Sequence, residues 1–362
     1  MGVGGLTRIG VLMVLVALVV CLLSGPARAL EALRPNSPAD LAFVTGTGTA
    51  ADEVTVAAGS GAEPRTLGPG ENPLLSPDGM HVAASLFGSG GGETGPALAL
   101  YTAAPGSGVA RYLSLASATV QPLAWSHDSR YLAFFARSTA LHNTATRSAL
   151  EVLDTHTATI LIVAHGQISG ASFSPDVRDL LVFSKSPSEF DTPVNLYTAQ
   201  ADGTGLRRIT ADGRSLNPVW GAKGIAYDRQ RLRRQDAPVF QIWLRSPAGK
   251  LRQLTHLRIR KLVSGLVPLA FSADGARLLA EFEGQDTNEA WTMTVAAARP
   301  RRLVSHGRSV VGEGISANGA TVLVSEGSFE APPSNGRIAT LPFGGGAPVV
   351  LVAHGASASW NR

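Results

Sequence analysis

The sequence predicts an all-β fold made of one four-stranded unit repeated in a ring, and three observations predict it. The first is a recurring corner, in which an apolar run ends on a large residue and a polar turn follows. It reads Leu75-Ser76-Pro77-Asp78-Gly79, Trp125-Ser126-His127-Asp128-Ser129, Phe173-Ser174-Pro175-Asp176, Trp220-Gly221-Ala222-Lys223-Gly224, Phe271-Ser272-Ala273-Asp274-Gly275 and Ile315-Ser316-Ala317-Asn318-Gly319. The second is its spacing, 50, 48, 47, 51 and 44 residues, with a further 45 leading to Trp360 two residues before the end. The third is the content of each interval: β-branched and aromatic runs separated by Gly, Asp, Asn and Pro, the chemistry of strands and reversals. Repeats of this length holding four strands are the signature of β-propeller blades.

In chain order, Met1–Ala29 reads as a secretory signal. Arg8 supplies the positive start, Ile9–Leu23 an apolar run, Ser24-Gly25-Pro26 a break and Ala27-Arg28-Ala29 the cleavage site. Fifteen apolar residues are short for a membrane span, although an uncleaved N-terminal anchor is the alternative. Residues 30–39 form a linker, and residues 40–362 the propeller. Leu41–Thr45, Val54–Ala58 and Arg65–Leu67 are three strands that lack a leading inner one, and Ala356–Trp360 offers it. Closing the ring with the C-terminal strand leaves no free edge, which repeat rings require. Counting the anchors Leu75, Trp125, Phe173, Trp220, Phe271, Ile315 and Trp360 gives seven blades, with six and one degenerate repeat as the alternative.

The stretch Ala171–Thr210 shows one unit complete. Phe173 ends the inner strand and Ser174-Pro175-Asp176 turns. Leu180–Ser184 and Asn195–Ala199 are the next strands, Asp202-Gly203 reverses the chain, and the last strand ends at Ile209-Thr210. In RYLAFFA (residues 130–136) both alternating faces are apolar, so the strand must be covered on both sides, as stacked blades do and a one-sided sheet does not. The connections between second and third strands (87–96, 137–148, 185–194, 229–238, 283–289 and 326–337) are long and varied, and in a propeller they share one face with the inter-blade connections. Variable loops on a rigid scaffold are the usual home of binding.

Composition narrows the function. The formal charge of +4, with Arg8 and Arg28 in the leader, does not point to nucleic acid. The single Cys21 lies in the leader, so neither disulfide nor thiol chemistry is expected of the mature chain. No G-x-S-x-G elbow occurs; Gly307–Gly312 has one residue too many. His165, His256, His306 and His354 recur at blade ends, where the ring would spread them around its rim, so they read as histidines of solvated turns and no metal site is expected. Over the four positions before each anchor the charged residues are Glu71 and Glu313 alone, too few for a calcium or acid–base centre, though with Asn72 and Asn217 they could form a weak calcium site. No cofactor is expected.

One stretch stands apart in charge. From Asp228 to Lys261 ten basic residues face two acidic ones, and the cations Arg229, Arg231, Arg233, Arg234, Arg258, Arg260 and Lys261 fall in two loops of one face. They form a candidate site for an anionic partner; otherwise they pair with the acidic Glu281, Glu283, Asp286 and Glu289 that follow.

The corner S-P-D-G after a large apolar residue, the run LYTAQADGTGLRRIT (196–210) and the runs QIWLR (241–245) and LRQLTH (251–256) resemble TolB-type propeller repeats. The resemblance covers about Asp40 to Arg362. TolB itself carries an N-terminal α/β domain before a six-bladed propeller, and only residues 30–39 stand between leader and first strand here. The resemblance implies a bacterial, exported, periplasmic or extracellular protein of the cell envelope. The reading is a monomeric, non-enzymatic module that binds or scaffolds a protein or an anionic envelope polymer, with no transmembrane segment in the mature chain. The alternative is a propeller hydrolase or lyase with its site at the central mouth of the long-loop face.

Overall fold

The structure is a computed structural model. It describes residues 39–46, 52–86, 97–103, 109–112, 119–138, 147–187, 193–231, 239–258, 264–284, 287–327 and 333–361. Among them, strands account for nearly all regular structure, and the one helical turn is Pro333–Asn335. They form five four-stranded sheets, one eight-stranded sheet and a two-stranded hairpin. Each four-stranded group is an antiparallel meander, such as Thr119–Trp125, Tyr131–Ser138, Arg147–Asp154 and Thr159–His165, each strand paired to the next.

The recurring corner forms as its chemistry dictates. Ser76 Oγ donates to Asp78 Oδ1 at 2.5 Å while accepting from the His81 backbone N–H at 2.9 Å. Ser126 with Asp128, Ser272 with Asp274 and Ser316 with Asn318 repeat the hydroxyl bond at 2.6–2.8 Å. The residue closing the turn needs a positive φ, and Gly79, Gly275 and Gly319 adopt it at 66–69°. Ser129 holds the same conformation at φ 61°, and its Oγ accepts the Asp78 N–H of the preceding turn at 3.1 Å.

A second device repeats on the first strand of the groups. Three residues before the anchors stand Asn72, Pro122, Gly170, Asn217, Pro268, Gly312 and Ser357. The ladder slips there: register shifts fall between Glu71 and Leu74, Pro122 and Ala124, Leu216 and Val219, Pro268 and Ala270, and Gly312 and Gly314. Asn72, Asn217 and Ser357 have φ of 51°, 44° and 48°. A bulge needs a residue that tolerates the left-handed region or a fixed bend, and every one of these residue types meets that need.

The C-terminal strand takes the place expected of it. Ala356–Trp360 pairs antiparallel with Leu41–Thr45, matching Leu41 with Trp360, Ala42 with Ser359 and Val44 with Ala356. It also makes the contacts that anchors make elsewhere. Ser359 Oγ accepts the Leu75 N–H at 3.1 Å, as Ser172 Oγ accepts the Trp220 N–H at 3.0 Å. Both serines stand one residue before their anchor, and both bond the anchor of the next group. Trp125 Nε1 donates to Leu74 O at 3.0 Å, and the Trp360 ring lies over Gly314, where a Cβ would come within 2.7 Å of Nε1. Leu74 and Gly314 are again equivalent positions, one before the anchor.

The core lies between sheets. Phe135, Leu150, Phe173, Leu181 and Phe183 form one buried cluster, and Leu98, Trp125, Leu132 and Phe134 another. Phe134 and Phe135, adjacent in one strand, enter different clusters, so the strand is covered on both faces as its pattern predicts.

Candidate functional site

The cationic stretch is positioned by the one joint that departs from the antiparallel plan. Gly224–Arg231 runs into residues 232–238, and the chain returns as Val239–Arg245, with Arg231 paired to Val239 and Arg229 to Gln241. The chain then forms Leu251–Gln253 and, further on, Ser264–Phe271. The start of that strand pairs in parallel with the start of the earlier one, Val239 with Ser264 and Phe240 with Gly265. This joins two four-stranded groups into the eight-stranded sheet. Gly265 makes it possible, since a Cβ there would fall 2.2 Å from Phe240 O and 2.5 Å from its N. The residues that end the two cationic loops are thus neighbours in space.

The seven candidate cations differ in their surroundings. Arg229 Nε lies 3.0 Å from Asp212 Oδ2, and its guanidinium stacks 5.2 Å above the Trp243 ring. Its partner is in its own group, so the expected alternative pairing with the acidic strand that follows does not occur for this residue. Arg258 is exposed and has no ion pair among the described residues. Arg231 ends its strand; Arg233, Arg234, Arg260 and Lys261 lie outside the described residues. Of the other basic residues in the stretch, Arg245 donates to Gly249 O at 3.4 Å, and Arg252 donates to the carbonyls of Val295 and Ala296 in the next group.

Beside this joint the protein buries carboxyl groups. Asp228, next to Arg229, is fully buried; no hydrogen bond of ordinary geometry reaches its oxygens, although the nearby Asn217 amide favours its charge. Burial raises its pKa to about 7, and the approach of Glu283 from the next group adds to the rise. Glu283, paired with Gly265 in the ladder and still exposed to solvent, is raised by partial shielding from water. Glu281 is pushed up to about 8 by burial and by Glu313 and Glu283. Glu313, on the group after that, rises to about 7 through burial, opposed by the Ser325 hydroxyl donating to it at 2.5 Å and by the Ala358 N–H. Further round, burial and Asp52 raise Glu71. Carboxyls therefore line consecutive seams from the Trp220 group to the Leu75 group.

Inspection of the four positions before each anchor finds Glu71 and Glu313 but misses Asp228, Glu281 and Glu283, which occupy second strands. The signal for them is an acid inside an otherwise apolar strand, as in IAYDR (225–229) and RLLAEFE (277–283). Metal chemistry is not assembled from them: among the described residues no group of three or more His, Cys, Asp or Glu is placed to hold an ion. His165, His256, His306 and His354 are exposed, as expected of turn residues.

No family model matches the sequence, and no curated protein matches it. Solved structures do. TolB from Acinetobacter baumannii aligns at TM-score 0.50 with 16% identity, covering 92% of this chain and 69% of that one. The β-propeller domain of the Trilobed protease from Pyrococcus furiosus aligns at 0.51 with 13% identity, over 75% and 81%. The fold is a TolB-like β-propeller. A puromycin hydrolase aligns at 0.58 with 13% identity over 89% of this chain, which spans only 55% of the hydrolase. An oligogalacturonate lyase is also similar in fold. At such identities the likeness is one of fold, and the site must speak for function. Among the described residues no helix is long and apolar enough to cross a membrane.

Proposed function

We propose that this propeller is a non-enzymatic binding or scaffolding module of the cell envelope that recognises an anionic partner through the edge at Val239 and Ser264. The single observation behind this reading is the parallel pairing of Val239–Phe240 with Ser264–Gly265, which brings together the ends of the loops bearing Arg231, Arg233, Arg234, Arg258, Arg260 and Lys261. Guanidinium groups prefer carboxylates and phosphates that accept paired hydrogen bonds. Arg229, held by Asp212 and Trp243, is a fixed member at the base of the edge, while Arg258 is exposed with no ion pair among the described residues.

The reading includes export with cleavage after Ala29, seven blades and a monomeric mature chain from residue 30. The seven-blade reading divides the eight-stranded sheet at its parallel joint and assigns Ala356–Trp360 to the Leu41 group. The register shifts just before the anchors Leu75, Trp125, Trp220, Phe271, Ile315 and Trp360 support that count. The test is retention of residues 30–362 on immobilised polyglutamate across a salt gradient. Binding should weaken with salt, because exposed charges are screened over about 8–10 Å. The quadruple variant Arg231→Glu, Arg233→Glu, Arg258→Glu, Arg260→Glu should lose retention while melting like the parent. Equal retention of parent and variant would sink the proposal.

A second reading has one observation in its favour. Glu281, Glu313 and Asp228 keep protons near neutral pH, as general acids do, and hydrolase and lyase structures are among those similar in fold. Their burial supports a structural role instead. Turnover of an ester, peptide or uronate substrate that disappears in Glu281→Gln would favour catalysis.

A further inference from the structure

The connection between the Phe271 and Ile315 blades does more than link them. Val304–Ser305 and Arg308–Ser309 pair as a hairpin, Val304 with Ser309 and Ser305 with Arg308. Its two-residue turn, His306-Gly307, has φ of 48° and 78°, the positive pair that a tight I′ reversal requires. His306 and Arg308 are therefore carried on a short, determined backbone. Facing them is the Ile315 blade, whose Glu326 and Arg337 are cross-strand partners.

Between the two lies a cleft of about 520 Å³, lined by Ser305, His306, Arg308, Glu326, Asn335 and Arg337 among others. That size matches sites for small molecules, but the lining is polar where such sites are usually apolar. The floor is already arranged. The buried Ser305 hydroxyl donates to Glu326 Oε1, and Arg337 Nε sits 3.5 Å from Glu326 Oε2. Glu326 is thereby held in place and balanced by Arg337, most of whose N–H donors have no partner among the described residues. Arg308, on the opposite wall, is exposed and has no ion pair among the described residues. Two guanidinium groups, one imidazole and one amide thus surround a space whose one carboxylate among the described lining residues, Glu326, is paired with Arg337.

We infer that this cleft is a binding site for a small molecule bearing a carboxylate or a phosphate, held by Arg308 and Arg337 with His306 and Asn335 beside it. Hydroxyl groups of the same ligand would be taken by Glu326. The fixed hairpin matters, because a preorganised arginine loses less freedom on binding than one at a loop tip. The site is separate from the Val239–Ser264 edge, so it stands or falls independently of the binding reading proposed above.

The experiment is isothermal titration of residues 30–362 with inorganic phosphate and, separately, with a hexuronate monosaccharide at constant ionic strength. One or both should bind, and the stronger identifies the anion. Arg308→Ala and Arg337→Ala should each weaken that binding about tenfold or more, the scale of one charged hydrogen-bonding partner. Arg178→Ala removes the same charge from an exposed position elsewhere and should leave affinity unchanged. The inference is overturned if neither anion binds at millimolar concentration. It is equally overturned if Arg308→Ala behaves like Arg178→Ala, since the anion would then be sensing net charge only. Melting curves of all variants confirm that the hairpin and the fold persist.

Discussion

Two arcs of the propeller solve the same packing problem with different materials. In the arc around Trp125 and Phe173, neighbouring sheets meet mainly through hydrocarbon: Phe134, Phe135, Leu150, Leu181 and Phe183 are nearly or fully withdrawn from water. Glu151 and Asp154 are buried there too, and Arg130 at 2.7 Å holds Asp154 charged. In the arc from Trp220 through Phe271 and Ile315 to the C-terminal strand, the seams bury Asp228 and Glu281 and half-bury Glu313, all with carboxyl pKa values raised. Burial of hydrocarbon is favourable at any pH. Burial of a carboxyl is tolerable mainly when the group is protonated. The first arc should therefore vary little between pH 5 and pH 8, and the second should be the part whose stability depends on acidity in that range.

The largest effect is expected from removing the strand that completes the second arc. Deleting residues 356–362 strips the partly buried Trp360 from the core, leaves Leu41–Thr45 paired on one side only, with Glu53–Ala57, and takes away the Ala358 N–H beside Glu313. Loss of a large core aromatic alone costs about 3–5 kcal/mol, against a typical total of roughly 5–15 kcal/mol. The truncated protein should aggregate or melt far below the parent; an unchanged melting curve would show the strand to be dispensable.

Phe183→Ala cuts the first arc instead, at a similar expected cost of about 3–5 kcal/mol. Its loss should be the same at pH 5 and pH 8. A loss that varies strongly between those pH values would break the contrast between the arcs.

The second arc should show the opposite behaviour. Glu281 binds its proton more tightly in the folded chain (about 8) than its ordinary 4.5. The folded state then holds more protons between those values, and stability falls as pH rises through that window. Asp228 and Glu313, each near 7, act in the same direction. Thermal midpoints should decline from pH 5 to pH 8, by roughly 2–4 °C for each kcal/mol lost in a domain of this size. Glu281→Gln should flatten the decline and melt above the parent at pH 8, with little difference at pH 5. A parent profile that is level from pH 5 to pH 8 would remove the acid-dependent arc.

The smallest effect sharpens the comparison at a single bond. Ser172→Ala and Ser359→Ala each remove the hydroxyl that accepts the next anchor's N–H, one in each arc. Each should cost about 1–3 kcal/mol, because a buried donor is left without a partner. Similar losses in denaturant unfolding would show that the C-terminal strand is bonded as firmly as an internal one.

Much of this was legible in the sequence. The anchors, their spacing and the Ser-x-Asp-Gly corners define the repeats, because these features act over a few residues and need no distant partner: Ser76 bonds Asp78 and His81 in its own turn. The closing role of Ala356–Trp360 was readable too, since a first blade lacking one strand and a last strand lacking a blade complete each other.

Tertiary structure decided what depends on which side chains meet. No local pattern shows that Arg229 pairs with Asp212 and stacks on Trp243, or that Gly265 lets Ser264 lie beside Val239 in parallel. The protonated carboxyls follow the same rule, since Glu281 acquires its affinity for a proton from burial and from Glu283 and Glu313. Short-range chemistry writes the corners and the strands into the chain. Charges take their state from the solvent they lose and the neighbours they gain, and only the packing of one blade against the next supplies both.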